Sequence, residues 1–334
     1  MKGVWVAFAL MLAGCQSPSY SVNAAWTPGR LISEAGVRDE RAAFRAVFCT
    51  KAKLSAHDCD RYLWRFGDEA PLTYPQSSTH SLRVFLVGGL FSGCLGEASR
   101  PWVDSAAALA SRGIAVTQVP VQGRSGAALN ASIINRTVSQ YRKQPDERWI
   151  MIAHSKGGVD GLTALWTYPE LSREIDAMVT VASPLMGSEL ADLGAPLYAS
   201  LFKDGFVERC APGDGMAMRD LQPAIRRQAL ESHHLPAGVA YYAVGTLPDD
   251  NSLAYGLKPA AAMMAPHPND GQVRLDHTWL KGFRLLGLMN VDHWEVALTL
   301  EGELGVFAQR AREQAFPQGA LLEAVVDYVG AELE

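Results

Sequence analysis

The stretch Trp149-Ile150-Met151-Ile152-Ala153-His154-Ser155-Lys156-Gly157-Gly158 decides how this chain is read. Residues 149–153 are apolar without a break, the pattern of a strand buried on both faces, and a helical pattern from about 156 to 167 follows with no linker. A serine at so sharp a strand-to-helix turn is exposed on a strained backbone. Such a turn tolerates only small residues two positions to either side, and Ala153 and Gly157 fit. The helix start also aims free backbone N–H groups at the hydroxyl, where an oxyanion would form. A serine hydroxyl is a poor nucleophile without a base, so the pattern asks for a histidine and a carboxylate from elsewhere in the chain.

Working outward, strand and helix patterns alternate. Residues 82–87 read as a buried strand and 101–112 as a helix with Pro101 in its first turn. Residues 114–119 form a second strand ended by Pro120, and Ser125 is placed to cap a helix reaching about 142. Further strands are expected at 177–182, 239–244 and 285–289. Unbroken Val/Ile/Leu runs between amphipathic helices predict an α/β fold with a mainly parallel, doubly wound sheet. The stretch from about 184 to 237 is too long for a simple connection and reads as a lid or cap insertion. Its Leu197, Tyr198, Leu201, Phe202, Met216 and Met218 either line an acyl pocket or bury the insertion's own core.

Composition narrows the function classes. The chain has 334 residues, 48% hydrophobic and 19% charged, which excludes a disordered or collagen-like protein. A formal charge of −5 without a basic tract argues against nucleic acid as a partner. At the start, Lys2 precedes an apolar run over 4–12 that is too short to span a bilayer. The following Leu12-Ala13-Gly14-Cys15 resembles a bacterial lipobox. That resemblance implies a signal peptide over 1–14, acylation of Cys15 and anchoring of the protein to a membrane; the alternative is an ordinary secretory signal. Gln16 in place of Asp implies, by the Gram-negative sorting rule, an outer membrane location facing the periplasm. Residues 15–35 suit a tether and 36–78 a small helical segment, with the main domain over 79–334. In an oxidising compartment the remaining cysteines suggest two bridges, Cys49–Cys59 closing a local hairpin and Cys94–Cys210 tying a loop to the insertion. Four free thiols are the alternative.

From about residue 82 to 298 the chain resembles an α/β-hydrolase of the bacterial lipase/esterase kind. Ala153-His154-Ser155-Lys156-Gly157 stands where the family has Gly-x-Ser-x-Gly. Ser183-Pro184-Leu185-Met186-Gly187-Ser188 resembles the family's Thr-Pro-His-x-Gly-Ser, with Leu185 in place of the histidine. Met218-Arg219-Asp220-Leu221-Gln222-Pro223 resembles a lid-region motif of the same lipases. The resemblance implies Ser155 as nucleophile, then an acid, then a histidine in chain order. Val291-Asp292-His293-Trp294-Glu295-Val296 resembles the family's Asp-His-x-x-x-Val ending, so His293 is the expected base, with His267 and His277 as rivals. His154 adjoins the serine but is expected to point away across the turn. Asn269-Asp270-Gly271-Gln272-Val273 resembles the family's Asn-Asp-Gly-x-Val and makes Asp270 the expected acid; Asp249 and Asp250, directly after a strand, compete. The oxyanion donors implied are the backbone N–H groups of Lys156 and of Leu90, with Phe91 as second candidate, in Gly88-Gly89-Leu90-Phe91 where the family usually has His-Gly. The Lys156 side chain is expected to leave the site.

The function implied is a serine carboxylic ester hydrolase acting on acyl esters or lipids, with no metal and no cofactor. An acyltransferase on the same triad, or a non-catalytic lipoprotein on the same fold, are the rival readings.

Overall fold

Seven strands make one sheet: β1 (Arg38–Asp39), β2 (Ser81–Val87), β3 (Ala115–Val119), β4 (Glu147–His154), β5 (Ala177–Val181), β6 (Ala240–Thr246) and β7 (Arg284–Met289). Their order across the sheet is β1-β7-β6-β5-β4-β2-β3, and every pairing is parallel. The structure, a computed structural model, describes residues 35–65, 78–193 and 212–334. The six strands expected from apolar runs are all present, and the architecture is the doubly wound α/β sheet that those runs predict. β1 is an addition: two residues ahead of the first expected strand pair with the start of β7, Arg38 opposite Arg284.

Alternation along the strands sorts side chains onto two faces. Val84, Leu86, Ile150, Ile152 and Val179 point to one side. There they meet Phe44 and Phe48 of α1 (Arg41–Lys51), Leu109 of α3 (Val103–Ser111) and Leu321, Val325 and Tyr328 of α10 (Gln318–Glu332). Phe85, Val87, Trp149, Met151 and Met178 point to the other. They pack on Ile133 and Ile134 of α4 (Ala127–Val138) and on Leu162 and Leu165 of α5 (Lys156–Thr167). Each such buried aromatic or aliphatic side chain contributes about 1.5–3 kcal/mol. The remaining helices are short: α2 (Ala56–Cys59), α6 (Pro169–Glu174), α7 (Pro223–Ser232), α8 (Lys258–Met264) and α9 (Glu301–Leu304). Among the described residues no helix is long and apolar enough to cross a membrane.

The segment ahead of β2 is part of this core. Phe44 meets Tyr328 edge to face at 5.8 Å, and Cys49 of α1 is disulfide-bonded to Cys59 of α2, as the ten-residue spacing predicts. Cys94 is also disulfide-bonded; its expected partner Cys210 lies outside the described residues. So do Cys15 with the leader and tether, and Leu197, Tyr198, Leu201 and Phe202 of the insertion.

Two helix starts differ from the sequence reading. α3 begins at Val103, not Pro101, because Trp102 takes a left-handed backbone (φ 51°) and is pinned there by its indole N–H donating to the Val296 carbonyl at 3.1 Å. α4 is not capped by Ser125, whose hydroxyl instead donates to Gln122. Its first free N–H groups, on Gly126 and Ala127, donate to Asp214 (2.8 Å) and Asp220 (2.6 Å). Two carboxylates from the insertion thus complement the positive helix end. The sequence spacing could not show this, because those acids lie some ninety residues further along the chain.

Candidate active site

β4 ends and α5 begins at Ser155, with no residue between them. Ser155 has φ 55° and ψ −131°, a conformation that costs a non-glycine residue roughly 1–3 kcal/mol. The neighbours hold it there. The Ser155 N–H donates to the Val181 carbonyl at 2.9 Å, tying the bend to β5. A Cβ on Gly157 would lie 2.5 Å from the Val87 carbonyl oxygen, so the helix start can approach β2 only if that residue is glycine. Gly89 faces the serine from the other side, where a Cβ would lie 2.7 Å from Ser155 Cβ and 3.1 Å from the Lys156 nitrogen. This explains Gly89 after β2, where the loop comes within contact of the hydroxyl-bearing residue; at Gly88 a Cβ would instead run into the Ser92 side chain.

That contact sets the Gly89-Leu90 loop beside the Lys156 nitrogen. Lys156 is the first residue of α5, so its N–H has no partner within the helix. The Leu90 N–H has no acceptor among the described residues either. The Phe91 N–H, one position further, donates to the Gly123 carbonyl at 2.9 Å. The Lys156 side chain turns along the helix as expected: it is fully buried, and Nζ donates to Asp160 Oδ1 at 2.5 Å. Asn130 of α4 donates to the other Asp160 oxygen at 2.7 Å. Burial pushes the Asp160 carboxyl up from its ordinary value, against the opposing pull of Lys156 and Asn130.

His293 lies in the turn after β7. Its Nε2 is 2.7 Å from Ser155 Oγ and its Nδ1 is 2.8 Å from Asp270 Oδ2. The carboxylate only accepts, so Nδ1 carries the proton and Nε2 is left to accept from the serine hydroxyl. Asp270 is fully buried and hydrogen-bonded on both oxygens. Oδ1 accepts from the N–H groups of Gln272 (3.0 Å) and Val273 (2.8 Å), and Oδ2 also accepts from the Thr246 hydroxyl at 2.7 Å. Burial alone would raise this carboxyl, but His293 and these donors outweigh it and hold Asp270 below its ordinary value. Thr246 is the last residue of β6, so the carboxylate sits at the end of that strand although it arrives 24 residues later.

The competitors fall elsewhere. Asp249 accepts from the Asn251 and Ser252 N–H groups and from Asn290, the work of a turn former, and Asp250 is exposed. His277 Nδ1–H donates to the Gly187 carbonyl at 2.9 Å, and His267 is exposed. Leu185, where the family has a histidine, is buried and gives its carbonyl to Arg226 Nε at 3.0 Å.

Several supporting residues were not anticipated. His154 does not turn away from the site: its Nε2 lies 2.9 Å from the His293 carbonyl oxygen, and the two rings are 5.2 Å apart. The His293 turn is clamped from outside by Asp292, whose carboxylate accepts from the N–H groups of Trp294, Glu295 and Ala254 and pairs with Arg310 through two nitrogens. Glu295 completes the cluster with Arg310 and Arg312. In sequence, Asp292 had a signal only as part of the Asp-His pair; Arg310 and Thr246 had none.

The chain has counterparts among solved structures. A carboxyl esterase of metagenomic origin matches over 90% of this chain and 94% of its own, at 31% identity and a TM-score of 0.81. The chain belongs to the α/β-hydrolases of the esterase and lipase kind. Lipase 1 of Pelosinus fermentans (13% identity, TM-score 0.51, 75% of this α/β-hydrolase and 99% of that chain) shares its fold. So does EstA of Clostridium botulinum (14% identity, TM-score 0.51, 86% and 97%). No family model and no curated protein matches the chain.

The described parts of the α/β-hydrolase's insertion lie against the site's supports. Ala191, Leu221 and half-buried Met218 pack on Ala127 and Val159. The Ser188 hydroxyl donates to the Gln272 carbonyl at 2.7 Å, and Glu189 pairs with Arg274, so the insertion is tied to the loop that carries Asp270.

Proposed function

We propose that this protein is a serine carboxylic ester hydrolase that works through Ser155, His293 and Asp270. The observation that carries the reading is the unbroken chain of two short hydrogen bonds from Ser155 Oγ through His293 to Asp270 at a strained strand-to-helix bend. In the first half-reaction His293 Nε2 takes the serine proton as Oγ attacks the ester carbonyl carbon. The carbonyl oxygen becomes an oxyanion that the Lys156 and Leu90 N–H groups stabilise. His293 then gives the proton to the departing alkoxide, and the alcohol leaves an acyl-serine. In the second half-reaction His293 takes a proton from water, hydroxide attacks the acyl carbon, and the acid departs as Ser155 regains its proton. Asp270 holds the imidazole in the productive tautomer and balances the positive charge it gains in each half.

The substrate class proposed is acyl esters, lipids among them. The test is turnover of a soluble aryl ester together with labelling by a fluorophosphonate. The wild type should be labelled on Ser155 and lose turnover in step, and Ser155→Ala and His293→Ala should each remain folded and inactive. Residual turnover by Ser155→Ala at the wild-type rate would end this assignment. Adding an alcohol as acceptor distinguishes hydrolysis, in which free acid dominates, from acyl transfer.

We also propose attachment to the outer membrane, facing the periplasm, through lipid on Cys15. Support comes from the Leu-Ala-Gly-Cys run behind a short apolar segment. Cys15→Ser should move the protein from the membrane to the soluble fraction.

A further inference from the structure

We propose that His154 is a positioning residue: its ring anchors the backbone of His293 and so sets the distance between base and nucleophile. The proposal rests on the reading of His293 as the base.

Every polar group of His293 has a partner. Its N–H donates to the Asp270 carbonyl at 3.1 Å and its Nδ1–H to the Asp270 carboxylate at 2.8 Å. Its Nε2 accepts from the Ser155 hydroxyl at 2.7 Å. Its carbonyl accepts from His154 Nε2–H at 2.9 Å. The first two bonds tie the base to the acid, which travels with it. The serine bond is the one that must break and re-form during turnover. That leaves the His154 bond as the standing link between the His293 backbone and β4, the strand that delivers the nucleophile. Because His154 directly precedes Ser155, the two bonds close a small ring through one peptide unit. A shift of the turn after β7 relative to β4 would strain both bonds at once.

The ring of His154 is itself held. It is 2% exposed and meets the edge of Trp102 at 6.2 Å and 76°. Trp102 is bonded to the same turn, with its N–H on the Ala297 carbonyl (2.8 Å) and its indole N–H on the Val296 carbonyl (3.1 Å). A carbonyl accepts and does not donate, so His154 Nε2 must carry a proton, as the neutral ring provides. Burial first, and the neighbouring His293 second, push the His154 imidazole down to about 3. The anchor therefore adds no positive charge beside the imidazolium that forms on His293.

The side-chain geometry supplies the test. Glutamine places its amide nitrogen the same number of bonds from Cβ as Nε2 of histidine. Asparagine falls one bond short, and leucine fills the space without donating. The experiment measures kcat and KM on a soluble aryl ester, the fluorophosphonate labelling rate and the urea midpoint for His154→Leu, His154→Asn and His154→Gln. A misplacement of about 1 Å at a reacting group can cost about 100-fold. The expectation is a kcat about 10- to 100-fold lower in the leucine and asparagine variants, a KM within about twofold, and labelling slowed in parallel. His154→Gln should return to within about threefold of the wild type. Wild-type kcat in His154→Leu, or glutamine as impaired as leucine, overturns the proposal; so does a kcat that simply follows the urea midpoint across the three. If the leucine variant fails to fold, the asparagine–glutamine comparison decides alone. The triad reading is judged separately on the same ester, by whether Ser155→Ala and His293→Ala are inactive.

Discussion

Replacing Asp270 by asparagine tests the site at its most determined point. The Gln272 and Val273 N–H groups both point at Oδ1, at 3.0 and 2.8 Å, so an asparagine must keep its carbonyl oxygen there. The NH2 group then takes the place of Oδ2, 2.8 Å from His293 Nδ1 and 2.7 Å from the Thr246 hydroxyl. The threonine can rotate to accept; the histidine can avoid a clash of two donors only by moving its proton to Nε2. In that tautomer Nε2 faces Ser155 Oγ, 2.7 Å away, as a donor and cannot take the serine proton. A reversal of this kind costs about 10⁴ in kcat, or about 5.4 kcal/mol of transition-state stabilisation. The assay is kcat on a soluble aryl ester for Asp270→Asn, with near-UV circular dichroism to show native packing, beside Asp249→Asn/Asp250→Asn as the comparator. The double variant should stay within about threefold, since Asp249 only shapes a turn. A folded Asp270→Asn within tenfold of the wild type, or a more damaged double variant, would refute the reasoning.

Gly89→Ala should lower kcat by about 100-fold or more, because its Cβ would sit 2.7 Å from Ser155 Cβ and push the Leu90 N–H off the oxyanion position; wild-type kinetics would show that this loop does not crowd the serine. Stability should fall in mild acid through His154: its folded value of about 3 lies below the ordinary 6.5, so the unfolded chain binds a proton between those values that the folded chain refuses. This one group then costs about 2 kcal/mol on going from pH 7 to pH 5, and urea midpoints of His154→Gln should be flatter over that interval than those of the wild type. Cys49→Ser with Cys59→Ser should remove about 3 kcal/mol, read by urea unfolding, since the bridge closes a ten-residue separation. An unchanged midpoint would mean that packing alone holds the hairpin.

The parallel sheet was legible because its strands are buried on both faces, so composition alone marks them: Met151 and Ile152 point in opposite directions and both are apolar. α10 was overlooked for the same physical reason in reverse. Leu321, Leu322, Ala324, Val325, Val326, Tyr328 and Val329 are all buried, so only the narrow stripe of Glu323 and Asp327 stays polar and a 3.6-residue period has little contrast. β1 is two residues long and has no pattern to find; only its partner in β7 makes it a strand.

The site divides along a similar line. Ser155, Asp270 and His293 stand in local motifs with small or turn-forming neighbours, and those neighbours are what a short motif records. Thr246, Arg310 and the donors at the start of α4 act through space across 18 to 93 residues of chain, and no local spacing encodes such contacts. His154 had the opposite difficulty. Its place next to the serine was plain, but the direction of its ring depends on a carbonyl 139 residues away.

The direction of β1 has a topographical corollary. It runs parallel to its neighbour and pairs with the first residues of β7, so the polypeptide enters the sheet at the end remote from the rim where Ser155, Asp270 and His293 converge. Were Cys15 lipidated as proposed, the anchored segment would join the described fold at this end of the sheet, opposite the rim that carries Ser155.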